Sequence, residues 1–158
     1  MTSLLNYNQI SPEAYKALLA LDKIVQNGSL PQNLRHLIRI RASQLNGCLF
    51  CLDMHVKEAR RDDERELRLH HLYAWHESQL FSDREKAALE WTDALTAIRP
   101  VEDKEPLLEK LRQHFNDTEI SEMTFTIGLI NIWNRFGVAF KPVPGSLDKV
   151  FGLDKAGL

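Results

Sequence analysis

Apolar side chains recur at helical spacing along nearly the whole chain, and this periodicity constrains the fold more than any other feature. After Ser11-Pro12-Glu13, which is typical of a helix start, Tyr15, Leu18, Leu19 and Ile24 fall at helical spacing. No window shows the sustained alternation that a half-buried strand requires. The pattern predicts an all-α fold, a compact bundle of about seven helices.

Turn and capping residues divide the chain into these helices. Asn27-Gly28 and Asn46-Gly47 end two of them, and Ser82 with Glu85 forms a capping-box pattern at the start of another. The predicted helices span residues 12–26, 31–45, 48–61, part of 64–76, 83 to about 95, 103–115 and 118–136.

The last of these helices, residues 118–136, is the longest and carries apolar residues around most of its circumference. Such a helix either lies at the centre of the core or is shared with another subunit. Asn131, Asn134 and Arg135 interrupt its apolar surface. Because buried polar groups need partners, we expect these three to bond across a subunit contact.

Composition narrows the class of protein. The 158 residues are enough for a single domain over residues 1–158, and 44% hydrophobic and 27% charged residues are ordinary for a soluble globular protein. The net charge of −2, without a basic run, argues against nucleic acid as a partner. We find no signal peptide and no apolar stretch of membrane-spanning length, so we expect a cytoplasmic protein that does not bind membranes.

Both cysteines lie in the stretch "NGCLFCLDMH", where one helix ends and the next begins. Unpaired N–H groups and the helix dipole at a first turn stabilise a thiolate, so a thiol pKa there falls from about 8.5 toward neutrality. Cys48, Cys51 and His55 are spaced i, i+3 and i+7 and therefore share one helical face. His55 can then reach back toward Cys51, either to stabilise its thiolate or to accept its proton.

Three interpretations of this stretch are open. The cysteines can form a redox pair, which needs no flavin, haem or metal cofactor. They can be half of a zinc site with His55 and a fourth ligand. They can also be two small buried residues without chemistry. The candidate fourth zinc ligands are His36, His70, His71 and His76.

The stretch "LRHLIRIRASQLNGCLFCLDMHVKEAR" resembles the core of the alkylhydroperoxidase D-like (AhpD-like) proteins of the carboxymuconolactone decarboxylase superfamily. The resemblance continues through "LYAWHESQLFSDREKAALEWTDALT" and "TEISEMTFTIGLINIWNRFGVAF", and covers about residues 5–145. It implies an all-helical fold, assembly as trimers or hexamers, and thiol-based peroxide reduction. In that scheme Cys51 matches the peroxidatic cysteine, Cys48 its disulfide partner, and His55 a member of the proton relay.

One position departs from the family. The relay usually includes a glutamate twelve residues before the first cysteine, and this chain has His36 there. A neutral histidine can still pass protons with a different pH profile, whereas a protonated one would favour the thiolate through its charge. Alternatively, His36 is a packing residue and the relay is broken. Glu58 could substitute for the glutamate, but we expect it to face solvent.

Other conspicuous residues have simpler interpretations. His70 and His71 point about 100° apart on a helix, so we interpret them as partly exposed residues rather than metal ligands. Trp75 and Trp91 are predicted core residues. Tyr73 is a candidate hydrogen-bond donor near the thiols.

The leading hypothesis is a thiol-dependent peroxidase, a peroxiredoxin-type oxidoreductase that reduces alkyl hydroperoxides. Its candidate catalytic residues are Cys51, Cys48, His55 and His36. A lipoyl-like or thioredoxin-like dithiol must restore the thiols. The alternatives are a non-catalytic or weakly catalytic redox-sensing homo-oligomer and a zinc-binding protein.

Overall fold

Helices account for most of residues 3–98 and 104–155, which are the parts of the chain described by the computed structural model. In chain order they are α1 (Tyr7–Ile10), α2 (Pro12–Gln26), α3 (Gln32–Asn46), α4 (Leu49–Arg61), α5 (Glu66–His71), α6 (Asp83–Thr96), α7 (Glu105–Arg112), α8 (Asp117–Phe140) and α9 (Asp148–Phe151). A 3-10 helix, Leu72–Ala74, follows α5, and these residue ranges contain no strand. The all-α prediction is confirmed.

Local signals placed most helix ends correctly. The predicted capping box at α6 forms, since Ser82 Oγ accepts from the Glu85 N–H at 3.3 Å and Glu85 accepts from the Ser82 N–H at 2.8 Å. Gly47 adopts a left-handed φ of 65° where α3 ends. Helix α8 runs to Phe140, beyond the predicted end, and the four-residue helices α1 and α9 were not predicted. Asp103, the predicted start of α7, lies outside the described residues.

Helix α8 lies at the centre of the bundle, which is one of the two positions predicted for it. It packs against α2, α3, α4, α6 and α7. Met123, Ile127 and Ile130 on α8 are almost completely buried. The predicted core residues Trp75 and Trp91 are buried in two clusters that α3 and α6 share. Helix α3 therefore contributes residues to both clusters, and Met123 and Ile127 of α8 pack in the cluster that contains Trp91.

The polar residues of α8 bond within the chain, so the prediction of bonds across a subunit contact was wrong. Asn46 Nδ2, in the last turn of α3, donates to Asn131 Oδ1 at 3.0 Å and to Asn134 Oδ1 at 2.8 Å. Arg135 donates to the Asn131 carbonyl at 2.7 Å. This network satisfies the buried amides locally and holds the end of α3 against α8, immediately before α4 begins.

The first and the last helix pack against α8 and α4, respectively. The Tyr7 ring on α1 stacks on Phe136 with ring centroids 4.6 Å apart. At the other end, buried Lys57 on α4 donates to Asp53 and to Asp148 of α9, each at 2.8 Å. These contacts hold α1 against the second half of α8 and α9 against α4.

Within the described ranges, no helix is long and apolar enough to cross a lipid bilayer.

Candidate functional site

The cysteine pair lies at the N-terminus of α4, as predicted. Cys48 is the N-cap, and its Sγ accepts a hydrogen bond from the Cys51 N–H at 3.3 Å. The two Cα atoms are 5.4 Å apart, and the sulfurs are joined as a disulfide. The left-handed conformation of Gly47 turns the chain from α3 into this cap. The sequence-adjacent turn and cap are therefore sufficient to bring both sulfurs together.

The two sulfurs have different surroundings. Cys48 is 1% exposed and Cys51 is 4% exposed, but only Cys51 is among the residues that line the neighbouring cavity. Gly137 of α8, which also lines this cavity, lies against the pair, since a Cβ atom there would overlap Cys48 Sγ and lie 3.2 Å from Cys51 Sγ. Sequence reasoning missed Gly137, because a single glycine inside an apolar helix carries no local signal of this contact.

The cavity beside Cys51 has a volume of about 260 Å³. Its walls come from α1, α2, α3, α4, α8 and the C-terminal tail. Much of the wall is aromatic or aliphatic, including Tyr7, Tyr15, Leu19, Trp133, Leu147 and Phe151. Its acidic and basic residues are Asp22, Arg39, His55, Glu58 and Arg61. Such a space can hold a small organic molecule with its reactive group at the sulfur.

His55 lies on the same face of α4 as Cys51 and lines the same cavity. Its Nδ1 is 2.7 Å from Glu58 Oε2. Burial opposes ionisation of Glu58, but the hydrogen bond from His55 and the charge of Arg39 hold the pKa of Glu58 below its usual range. Since an ionised carboxylate only accepts, Nδ1 carries the ring proton and donates to Glu58. In the neutral ring, Nε2 then has a free lone pair.

The prediction that Glu58 faces solvent was wrong. Its side chain is only 14% exposed and lines the cavity. The physical reason is helical geometry: Glu58 follows His55 by three residues and Cys51 by seven, so it shares their inward face.

His36 is buried in α3, and its Nε2 is 2.8 Å from Asp62 Oδ2. Burial lowers the pKa of His36, although the hydrogen bond and charge of Asp62 oppose that change, so the ring is neutral near pH 7. Its Nδ1 is buried and has no hydrogen-bond partner in the described chain. His36 is not one of the cavity-lining residues. The structure thus brings Cys48, Cys51 and His55 together and places His36 outside the cavity wall.

The other sequence candidates lie elsewhere. Tyr73 is exposed and does not line the cavity, whereas Tyr7 and Tyr15 do. Burial, with a smaller effect from Tyr15, raises the pKa of Tyr7, which keeps its phenol protonated. His70 is exposed, and His71 Nδ1 is 3.0 Å from Ser78 Oγ. In the described parts of the chain, no three His, Cys, Asp or Glu side chains are grouped so that they could hold a metal ion.

Known proteins resemble this chain in sequence and in fold. A model of the carboxymuconolactone decarboxylase family matches residues 12–94. The uncharacterized protein YdfG of Bacillus subtilis (strain 168) is 37% identical over 139 residues, 88% of this chain and 95% of that protein. A crystal structure of a protein of unknown function from Agrobacterium tumefaciens, a candidate AhpD-type antioxidant defence protein, is similar with a TM-score of 0.85 and 44% identity, over 90% of this chain and 99% of that one. The debrominase Bmp8 shares the fold at 20% identity, with a TM-score of 0.78 over 94% of this chain and 79% of its own.

Proposed function

This chain belongs to the carboxymuconolactone decarboxylase family, among its AhpD-like members, and on that premise we propose that it is a thiol-dependent peroxidase that reduces organic hydroperoxides. One observation carries the proposal: Cys51, disulfide-bonded to Cys48, and His55 line the same partly apolar cavity. A nucleophile, a resolving thiol and a proton carrier are the parts that such chemistry requires.

In the first step the Cys51 thiolate attacks the peroxide oxygen that is distal to the leaving group. The S–O bond forms as the O–O bond breaks, so the sulfur loses two electrons and the peroxide gains them. The leaving alkoxide takes a proton through His55 and departs as an alcohol. Cys51 is left as a sulfenic acid.

In the second step the Cys48 sulfur attacks the sulfenic sulfur of Cys51. The S–O bond breaks, water leaves, and the disulfide forms. An external dithiol, lipoyl-like or thioredoxin-like, then supplies two electrons and two protons. It restores both thiols and leaves as its own disulfide.

His36 is a further candidate for the proton relay. Its neutral buried ring offers an unpartnered Nδ1 as an acceptor, while Asp62 engages the other nitrogen. The test is His36→Glu, which introduces the family's glutamate. We expect the pH dependence of Cys51 alkylation to change in this variant, and an unchanged curve would remove His36 from the relay.

We also propose that several copies of the chain assemble, as trimers or hexamers. Phe125 and Ile132, on the outer side of α8, are exposed apolar residues that a second copy could cover. Light scattering on the purified protein should give three or six times the 18.2 kDa chain mass. A monomer mass at micromolar concentration would contradict this proposal.

The peroxidase itself is tested by turnover of cumene or tert-butyl hydroperoxide with a dithiol reductant. We expect sustained turnover for the wild type and loss to the uncatalysed rate for Cys51→Ser. In the absence of the dithiol, reduced Cys48→Ser should consume one peroxide per chain and stop as a sulfenic acid, because the resolving thiol is missing. Equal rates for the wild type and Cys51→Ser would refute the peroxidase.

The burial of both sulfurs favours one alternative, a redox sensor. An external dithiol has little access to so enclosed a disulfide, which would slow each cycle. In that case peroxide forms the Cys48–Cys51 disulfide stoichiometrically, and the mass falls by two hydrogens without sustained turnover.

A further inference from the structure

We propose that Glu58 is a positioning residue that holds the His55 ring so that Nε2, rather than Nδ1, exchanges protons at Cys51. The proposal rests on the thiol chemistry proposed above for Cys51. Glu58 touches neither sulfur in this scheme and acts only through the histidine. Three features of the structure support it: the geometry of the pair, the surrounding charges, and the engagement of the other carboxylates of α4.

The geometry leaves the His55 ring little freedom. Glu58 Oε2 is 2.7 Å from His55 Nδ1, one helical turn away, and the two side chains are 14% and 10% exposed. A buried hydrogen bond to a charged acceptor is strong, because neither group can exchange its partner for water. The bond therefore fixes both the orientation of the ring and the nitrogen that carries its proton.

The surrounding charges keep Glu58 in its accepting form. From α3 it faces the neutral ring of His36 and the cationic side chain of Arg39, whose Nη2 is 3.1 Å from Asp22 Oδ1 on α2. Arg61 on α4 also interacts with Glu58. The cavity-lining residues of α8 and the C-terminal tail carry no charge. Since Arg39 and Arg61 place positive charge near Glu58 from two helices, the carboxylate stays ionised and its bond to the Nδ1 proton persists at neutral pH.

The other carboxylates of α4 and of its C-cap have other partners. Asp53 accepts from Lys57 at 2.8 Å and from the Gly145 N–H at 3.0 Å. Asp62 pairs with His36 and Arg61. Glu58 is therefore the carboxylate of this helix that accepts the hydrogen bond from His55. A carboxylate at Nδ1 makes the opposite ring nitrogen a better proton acceptor and stabilises the ring once it is charged, which favours a Cys51 thiolate.

The test measures the titration of Cys51 rather than turnover. In the reduced full chain with Cys48→Ser, alkylation by iodoacetamide from pH 5 to pH 9 reports the apparent thiol pKa of Cys51. We expect Glu58→Gln, which keeps the shape but removes the charge, to raise that pKa by about one unit and slow alkylation roughly tenfold below it. The matched control is Glu66→Gln, an exposed partner of His70 at 3.7 Å on α5, which should leave the curve unchanged.

A second background tests whether Glu58 acts through the histidine. With His55→Gln present, adding Glu58→Gln should have little further effect, because the group it positions is gone. Identical titrations of wild type and Glu58→Gln, or an equal shift with and without His55, would overturn the proposal. Nitrogen NMR of the wild-type ring gives an independent readout: the neutral ring is expected to carry its proton on Nδ1, and a neutral ring protonated on Nε2 alone would overturn the proposal. A chain that titrates as proposed but does not turn over peroxide would refute the peroxidase alone.

Discussion

At Gly137 the addition of a single Cβ atom would disrupt the packing of α8 on the cysteine pair. Its lack of a Cβ lets α8 lie directly against the Cys48–Cys51 pair, which seals Cys48 and leaves Cys51 to face the cavity. A helix interior normally favours alanine over glycine by up to about 1 kcal/mol, so glycine here has a structural cost that the packing offsets.

Gly137→Ala is therefore expected to destabilise the oxidised protein by about 1–3 kcal/mol, as overpacking of a full core does. The measurement is urea unfolding of the oxidised chain. The control is Gly128→Ala on the same helix, where a Cβ would meet nothing within 4 Å. That variant should gain up to about 1 kcal/mol. Equal effects of the two substitutions would show that Gly137 is not packed against the sulfurs.

The C-terminal tail is the element that completes the cavity. Pro142, Leu147 and Phe151 form one wall, and the tail is held to α4 because Lys57 bridges Asp53 and Asp148. Although burial opposes the charge on Lys57, its bonds to Asp148 and Asp53 raise the pKa of its ammonium, so the bridge persists at neutral pH.

Asp148→Asn should weaken the attachment of the tail, because Lys57 then keeps only one charged partner. We expect faster alkylation of Cys51 in the reduced protein and faster proteolysis in the segment that follows α8. Asp154→Asn, at an exposed carboxylate of the same tail, should change neither rate. If the two variants behave alike, the ion pair does not hold the tail in place.

Across the whole molecule, buried ionisable pairs link stability to pH. Burial lowers the pKa of His36 from its ordinary 6.5, although Asp62 opposes the shift. At pH values below 6.5 the unfolded chain binds a proton at this histidine more readily than the folded chain does, so stability falls as the solution is acidified. The pKa of Glu58 and that of Asp62 are held below their usual values against burial, by His55 and Arg61 respectively. The stability that these two ionised carboxylates contribute is lost as the pH falls through their pKa values in the folded protein.

We expect the urea midpoint to decrease between about pH 7 and pH 5, and to fall further below about pH 4.5. In His36→Gln the first decrease should be smaller and the second should remain. His70→Gln, at an exposed residue, should retain both. A His36→Gln variant with the same slope from pH 7 to pH 5 would show that His36 does not cause the first decrease.

The sequence by itself determined the all-α class, most helix ends and the position of the cysteine pair. These features depend on residues within a few positions of one another: the 3.6-residue period, the Ser82–Glu85 capping box, and the turn at Gly47 before Cys48. The face shared by Cys51 and His55 followed from the same local geometry.

Only the tertiary structure decided which side of α4 faces inward and what lies against it. In the folded chain Glu58 faces the cavity and Gly137 lies against the sulfurs. Asn46 donates to Asn131 and Asn134, and the C-terminal tail forms one wall of the cavity. The physical reason is that each of these contacts depends on how helices pack. The residues involved belong to segments far apart in the chain, or to a helix face whose burial no local pattern specifies.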